Sequence, residues 1–319
     1  MKVLVTGASG FVGRYFVEAM RRDFGSSAEI VLTGKVGGRH ALLGSILQLD
    51  ITECDAVSKA IASIRPTHVL HLAAVAAPAL ANAQPEPTWR VHVRGTLNLA
   101  RAILREAPDC WLLNIGSGTV YGDSAQAGRL LDESTLLSPI DEYSASKAAA
   151  DLALGALAGQ GLKCIRLRPF NHAGPGQTED FVIPAFAMQI ARIEAGIVPP
   201  VIRVGNLDAQ RDFLDVRDVA SAYALVVKRA QQLRSGTILN IASGMPYRMS
   251  DILHRLMRLS HVAIAIEHDA TRMRANDLAI FVGDASRARD LLDWEPQHHL
   301  DEMLAAILND ARARCNAEQ

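Results

Sequence analysis

Lysine is scarce in this chain of 319 residues: six lysines stand against 27 arginines. Neither sign of charge is in excess, with 33 Lys+Arg, 34 Asp+Glu and a formal net charge of −1. That balance excludes a general nucleic-acid or polyanion binder, which needs a basic surplus. Cysteines number four, at 54, 110, 164 and 315. Their spacing fits no zinc or disulfide framework, so reduced, buried thiols and no metal site are expected. No apolar run reaches the roughly 18 residues of a membrane span, and the apolar start that Gly7 interrupts is too short for a secretion signal. The composition implies a soluble, cytoplasmic, globular protein with neither membrane nor nucleic acid as partner. The arginine bias has two readings: codon usage in a GC-rich genome, or side chains kept to grip oxyanions.

What is present is alternation. Short β-branched runs at Lys2–Thr6, Glu29–Thr33, Leu47–Asp50, His68–Leu72, Trp111–Ile115 and Lys163–Leu167 read as strands. Between them, Phe11–Arg22, Asp55–Ile64, Trp89–Glu106 and Tyr143–Leu157 carry helical periodicity. This order predicts an α/β protein with a Rossmann-like, doubly wound parallel sheet. After about residue 170 the pattern loosens at Gly174-Pro175-Gly176, and the last 75 residues read as a smaller helical and irregular region. The expected division is a dinucleotide-binding part, 1–170 plus 212–244, and a smaller substrate-binding part, 171–211 plus 245–319.

The first strand runs straight into Thr6-Gly7-Ala8-Ser9-Gly10-Phe11-Val12-Gly13 and then a helix. Gly7 permits a tight turn, Gly10 lets backbone approach a pyrophosphate, and Gly13 lets helix pack on strand, while the helix N-terminus offers N–H groups. The carboxylate that would hold an adenine ribose is missing after the second strand, where Lys35 and then Arg39 follow. Cations there suit a 2′-phosphate, so NADP(H) is favoured over NAD(H). Asp50 and Ile51 are placed to meet the adenine.

Tyr143 and Lys147 stand four apart at the start of a helix and share a face. The lysine cation can lower the phenol pKa and hold a ribose. Ser117 follows the fifth strand, at the carboxyl edge where doubly wound sheets bind ligands, and can polarise a carbonyl while Tyr143 moves the proton.

With the glycine turn, His71-Leu-Ala-Ala74, Ser117, Tyr143/Lys147, Arg168-Pro-Phe-Asn171, Arg211-Asp-Phe-Leu-Asp-Val-Arg-Asp218 and Asn240-Ile-Ala-Ser-Gly244, the chain resembles the extended short-chain dehydrogenases/reductases that act on nucleotide sugars. The resemblance implies Ser117, Tyr143 and Lys147 as the catalytic set, and adds Leu72, Ala73, Ala74, Pro169 and Asn171 as cofactor neighbours. Many members carry Asn three residues before Gly95-Thr96, where this chain has His92; a buried histidine is expected. Sugar-nucleotide dehydratases of the branch place an acid just after the serine, and the epimerising reductases a cysteine at the position of Thr119. Gly118 and Thr119 supply neither, which leaves 4-keto reduction or 4-epimerisation. The stretches 168–177, 181–184, 204–207, 211–215 and 269–274, Arg274 included, resemble reductases of GDP-4-keto-6-deoxy-D-mannose. That implies a GDP-sugar substrate, with Asn171, Val182, Arg211 and Arg272 at its sugar and diphosphate, and either C4 product, GDP-D-rhamnose or GDP-6-deoxy-D-talose. His172 is expected as a packed loop residue. The family habit is a homodimer through the helices at 89–106 and 143–157. A 4-epimerase holding NAD tightly and a non-catalytic dinucleotide-binding regulator are the alternatives.

Overall fold

The computed structural model describes residues 1–125, 129–272 and 278–317. Its centre is an eight-stranded sheet. The first seven strands in chain order are β1 (Lys2–Thr6), β2 (Glu29–Gly34), β3 (Gly38–His40), β4 (Gly44–Gln48), β5 (His68–His71), β6 (Trp111–Ile115) and β7 (Cys164–Pro169). Across the sheet the order is Thr237–Ile241, β7, β6, β5, β1, β2, β4, β3. Every pairing is parallel except that of β3 with β4. The order reverses between β1 and β5, the crevice where such sheets take ligands. Val3, Leu4 and Val5 of β1 are wholly buried, as are Val69 and Leu70 of β5. Burial on both faces is what a central parallel strand requires.

Helix α1 (Phe11–Phe24) turns Tyr15, Phe16, Val17, Ala19 and Met20 inward and ends at Gly25. With α8 (Val216–Arg229) and α10 (Ser286–Leu292) it covers one face of the sheet. The other face is covered by α2 (Cys54–Ile64), α5 (Thr96–Glu106) and α6 (Glu142–Ala158), through Val57, Ile61, Leu99, Ile103 and Leu154. Helices α3 (Pro78–Ala83) and α4 (Pro85–Trp89) lead into α5. A separate cluster joins α7 (Val182–Glu194), α9 (Met249–Arg258) and α11 (Leu300–Ala317) around Ile183, Ile190, Leu253, Leu256, Leu304 and Leu308. Phe281 and the buried α10 side chains Ala288 and Leu292 pack with the sheet-side core rather than in this second cluster, although the expected division assigned 245–319 to it.

The chain passes between the two clusters near 171, 212 and 243, and these passages meet the segment at 283 around Asp212. Its wholly buried carboxylate accepts from the Ser243 N–H (2.8 Å) and O–H (2.7 Å), the Gly244 N–H (3.0 Å) and the Gly283 N–H (3.2 Å). The Asn171 amide donates to its backbone carbonyl at 3.0 Å. Burial pushes the Asp212 carboxyl up to about 6 in spite of these bonds.

Three local expectations need correction. The third strand lies at Gly44–Gln48 rather than Leu47–Asp50, behind an antiparallel strand, Gly38–His40. Gly38 and Gly44, both at positive φ, begin the two strands of this edge hairpin, whose largely exposed residues carry no apolar alternation to announce it. The helix expected over 89–106 contains a π-helical turn, Arg90–Gly95. Cys54 is exposed at the start of α2, while Cys110, Cys164 and Cys315 are buried; all four are free thiols. Among the described residues no helix is long and apolar enough to cross a membrane, and no cluster of His, Cys, Asp or Glu has the makings of a metal site.

Candidate active site

The glycine turn closes as its residues dictate. Gly7 has φ +67°, and a Cβ there would lie 2.7 Å from the Ala73 Cα. A Cβ on Gly13 would run into the Ala8 carbonyl. Gly10 caps α1, which has no side-chain cap and no acid in its first turn. Such an end presents N–H groups and positive dipole to an anion. Ser9 and Gly10 are exposed at the turn, and Phe11 and Val12 are half-buried. A cradle that side chains would fill, beneath a helix end without a cap, fits a dinucleotide pyrophosphate.

At the far side of the turn, Lys35 and Arg39 are both exposed, Arg39 on β3. Asp50 accepts from the Thr52 N–H (2.9 Å) and O–H (2.8 Å). Its partial burial raises the carboxyl, but those bonds and the charge of Lys35 outweigh it, and the pKa is lowered. Ile51 is buried against Gly95. One supporting residue was not foreseen: Asn98, buried on α5, donates to the carbonyls of Ile51 (3.0 Å) and Thr52 (3.1 Å) and holds this loop in place. Half-buried Leu72, Ala73 and Ala74 follow β5, with the Leu72 N–H donating to the Thr6 carbonyl at 3.1 Å. Pro169 is buried at the end of β7.

Helix α6 starts at Asp141, whose carboxylate accepts from the Ser144 N–H at 2.7 Å. Tyr143 and Lys147 therefore lie in its first two turns. Ser117 follows β6, caps a short 3₁₀ segment, and its hydroxyl is near enough to the Tyr143 phenol to draw its pKa down. Its Oγ is also 2.9 Å from the Thr119 hydroxyl, a bond the sequence did not announce. The structure thus brings Ser117, Tyr143 and Lys147 to one place at the carboxyl edge of the sheet.

The electrostatics differ from expectation in one respect. Burial pushes the Tyr143 phenol up to about 12, opposed by the Ser117 hydroxyl. Lys147 donates instead to the Ile115 carbonyl at 3.0 Å, and its burial brings the amine down to about 8. A phenol lowered by Lys147 is thus not the arrangement of the protein alone. Desolvation outweighs the other influences, and the phenol keeps its proton at neutral pH.

The substrate-side residues are more scattered. Asn171 spends its amide N–H on Asp212. His172 donates from Nδ1 to the Phe170 carbonyl at 3.0 Å and stacks on Phe11 with ring centroids 6.3 Å apart. Val182 opens α7 and is exposed. Arg211 lies on a short strand between Tyr247–Arg248 and Ile280–Phe281, and donates to the Gln210 carbonyl at 2.8 Å. Arg272 is exposed, pairs with Asp269 at 3.4 Å, and has its backbone carbonyl pressed on Gly205. Arg274 lies outside the described residues.

Comparison with known proteins follows the same lines. Residues 3–242 match the NAD dependent epimerase/dehydratase family. The chain is 32% identical to the GDP-6-deoxy-D-mannose reductase of Pseudomonas aeruginosa, over 99% of each chain. It is 26% identical to the GDP-6-deoxy-D-talose 4-dehydrogenase of Aggregatibacter actinomycetemcomitans, over 92% of this chain and 91% of that one. Among solved structures, RMD from Pseudomonas aeruginosa complexed with NADPH superimposes with a TM-score of 0.84 at 30% identity, covering 98% of this chain and 99% of that one.

Proposed function

The chain belongs to the NAD dependent epimerase/dehydratase family, and from that premise we propose that it reduces the 4-keto group of a nucleotide-linked 4-keto-6-deoxy sugar. The substrate proposed is GDP-4-keto-6-deoxy-D-mannose and the reductant NADPH. Two relatives named for GDP-6-deoxy sugars and a neighbour complexed with NADPH support this reading. The exposed Lys35 and Arg39, with no acid at the end of β2, support the 2′-phosphate.

The observation that carries the choice of reaction is Thr119. Its hydroxyl bonds to Ser117, beside the phenol, where removal of water or inversion of a neighbouring carbon needs an acid or a thiol. What the site does offer is a hydroxyl pair and a protonated phenol. Gly7, Gly10, Phe11, Val12 and Gly13 would hold the pyrophosphate, Lys35 and Arg39 the 2′-phosphate, and Lys147 the nicotinamide ribose. When bound, the cofactor supplies the hydride. Ser117 donates a hydrogen bond to the C4 oxygen and fixes the face that is attacked. Tyr143, which burial keeps protonated, gives its proton to that oxygen as negative charge develops. Lys147 then faces the phenolate that remains and stabilises it. Asn171, Val182, Arg211 and Arg272 line the substrate side, in a part built from 171–211 and from 245–319 apart from 281–294.

We assign a homodimer through α5 and α6, where Leu152 is 60% exposed and Trp89 of the preceding helix 37%. The protein's place is the cytoplasm.

The test supplies GDP-mannose, a partner 4,6-dehydratase and NADPH, and reads the sugar product by NMR. A GDP-6-deoxyhexose formed with matching loss of NADPH is expected, and its C4 configuration separates rhamnose from talose. No 6-deoxyhexose overturns the reading. Tightly copurifying NAD, with turnover of a nucleotide sugar and no added reductant, would make it a 4-epimerase instead.

A further inference from the structure

His92 is 2% exposed and sits inside the π-helical turn Arg90–Gly95 that joins α4 to α5. π turns are rare, and they tend to mark sites where a helix has been re-aimed for a purpose. Both ring nitrogens of His92 are engaged, and by different parts of the site. The Val75 backbone N–H donates to Nε2 at 3.0 Å. Nε2 is therefore the acceptor, and in the neutral ring Nδ1 carries the hydrogen. That hydrogen points to the Ser146 Oγ, 2.8 Å away. Ser146 passes its own hydrogen to the Tyr143 carbonyl, also at 2.8 Å. The ring meets the Tyr143 ring edge-on, with centroids 5.6 Å apart. Burial, reinforced by the charge of Lys147, brings His92 down to about 2, which keeps the ring neutral and this pattern of donors fixed.

The turn itself is braced from behind. The Thr96 hydroxyl donates to the His92 carbonyl at 2.6 Å and lies 3.0 Å from Nε2 of His71. The other nitrogen of His71 lies 2.7 Å from the Thr6 hydroxyl at the end of β1. His92 is thus held from the sheet edge and holds two things in turn: the first turn of α6, and the loop that follows β5.

We propose that His92 is a positioning residue with two separable duties. Through Nδ1–H and Ser146 it fixes the turn that aims Tyr143; through Nε2 it fixes the Val75 amide and so the Leu72–Val75 loop beside the cofactor cleft. The inference rests on Tyr143 being the proton donor of the reaction proposed above. The two duties predict two phenotypes, because two substitutions divide the bonds. The amide of Asn reaches about as far as Nδ1, so His92→Asn keeps a donor for Ser146 and falls short of Val75. The amide of Gln reaches about as far as Nε2, so His92→Gln offers an oxygen to Val75 and overshoots Ser146.

The experiment measures kcat on the 4-keto sugar, and NADPH dissociation by fluorescence titration, for wild type and both variants. Loss of one buried hydrogen bond is worth about a tenfold change. His92→Asn should weaken NADPH about tenfold and leave kcat within about threefold; His92→Gln should lower kcat about tenfold and leave NADPH affinity unchanged. Ser146→Ala should reproduce the Gln phenotype. Equal losses of both quantities in both variants, or no loss in either, would overturn the proposal. In case the variants do not fold, ¹⁵N spectra of wild-type histidine give the same decision. A neutral His92 protonated on Nδ1 is expected, and an Nε2–H tautomer or a charged ring refutes the bonding on which both duties depend. The titration and the spectra need no substrate, so a wild type inactive on 4-keto sugars would fail the functional reading and leave these two arms to decide the role of His92.

Discussion

Replacing Lys147 by Met should make the protein more stable and inactive, and the gain in stability should vanish with rising pH. Lys147 is 9% exposed, and burial lowers its amine from the ordinary 10.5 to about 8. At 1.36 kcal/mol per pKa unit, keeping the cation in the fold costs about 3 kcal/mol near neutral pH. Met has nearly the same length and carries no charge. It forfeits the bond to the Ile115 carbonyl, worth about 1 kcal/mol. The variant should therefore exceed wild type by about 2 kcal/mol at pH 7. Between pH 8 and 10.5 the unfolded lysine still holds a proton that the folded one has shed, so wild-type stability climbs with pH across that window. The advantage of Met is full below pH 8, shrinks above it, and turns into a deficit of about 1 kcal/mol near pH 10.5, where only the lost hydrogen bond is left. Urea unfolding of both proteins from pH 6.5 to 10, without cofactor, measures the difference. A bound dinucleotide would raise the lysine pKa and mask the effect. A variant less stable than wild type at pH 7, or a gap that does not change with pH, would refute the reasoning.

Three further outcomes are expected. Tyr143→Phe removes the proton donor and should lower turnover about 10²- to 10⁴-fold while NADPH affinity, read by fluorescence titration, stays at the wild-type value. Replacing Lys35 and Arg39 together by Ala should raise the NADPH KM about tenfold or more and leave the NADH KM unchanged, since only the former carries the 2′-phosphate; steady-state kinetics with the two cofactors decides it. Gly13→Ala drives a Cβ into the Ala8 carbonyl and should cost about 1–3 kcal/mol by urea unfolding, with loss of cofactor binding.

The parts of the site legible in the sequence are those set by local geometry. Gly7 announces itself by its positive φ and Gly13 by the clash a Cβ would make with the Ala8 carbonyl, both properties of the turn itself. Tyr143 and Lys147 share a helical face at any sequence separation of four. Ser117 needs only the end of a strand to be placed. Asn98, Asp212 and the bond from Thr119 to Ser117 were not legible, because each depends on how segments are set against one another in three dimensions. Asn98 reaches across some 46 residues of chain to Thr52, and Asp212 gathers amides 31 and 71 residues away. The burial of His92 was expected from the position it shares with the Asn of the family it resembles; its partners were not, since the π turn that aims the ring is a tertiary feature. The strand Gly38–His40 was invisible for the opposite reason: short and glycine-flanked, it lacks the periodicity that marks a strand.

A net charge of −1 hides a division of labour in the cleft. Lys147 is a buried cation whose hydrogen-bond partner is a neutral carbonyl, and two histidines lie close enough to feel it. Burial brings His71 down to about 3 and His92 to about 2, and the lysine charge deepens both shifts. The coupling is mutual: a proton on either ring would push the lysine toward its neutral form, already in reach at about 8. The His92 ring is held neutral by its bonding as well, since its Nε2 accepts from the Val75 N–H. Neutral histidines there are thus a condition for a charged Lys147 at physiological pH. A site that begins with a buried cation bonded, among the described residues, only to a neutral carbonyl gains most from an anionic ligand. On the function proposed above, the electrostatic work would fall to Lys147, Lys35, Arg39 and Arg272, four residues that the average over 33 basic and 34 acidic side chains conceals.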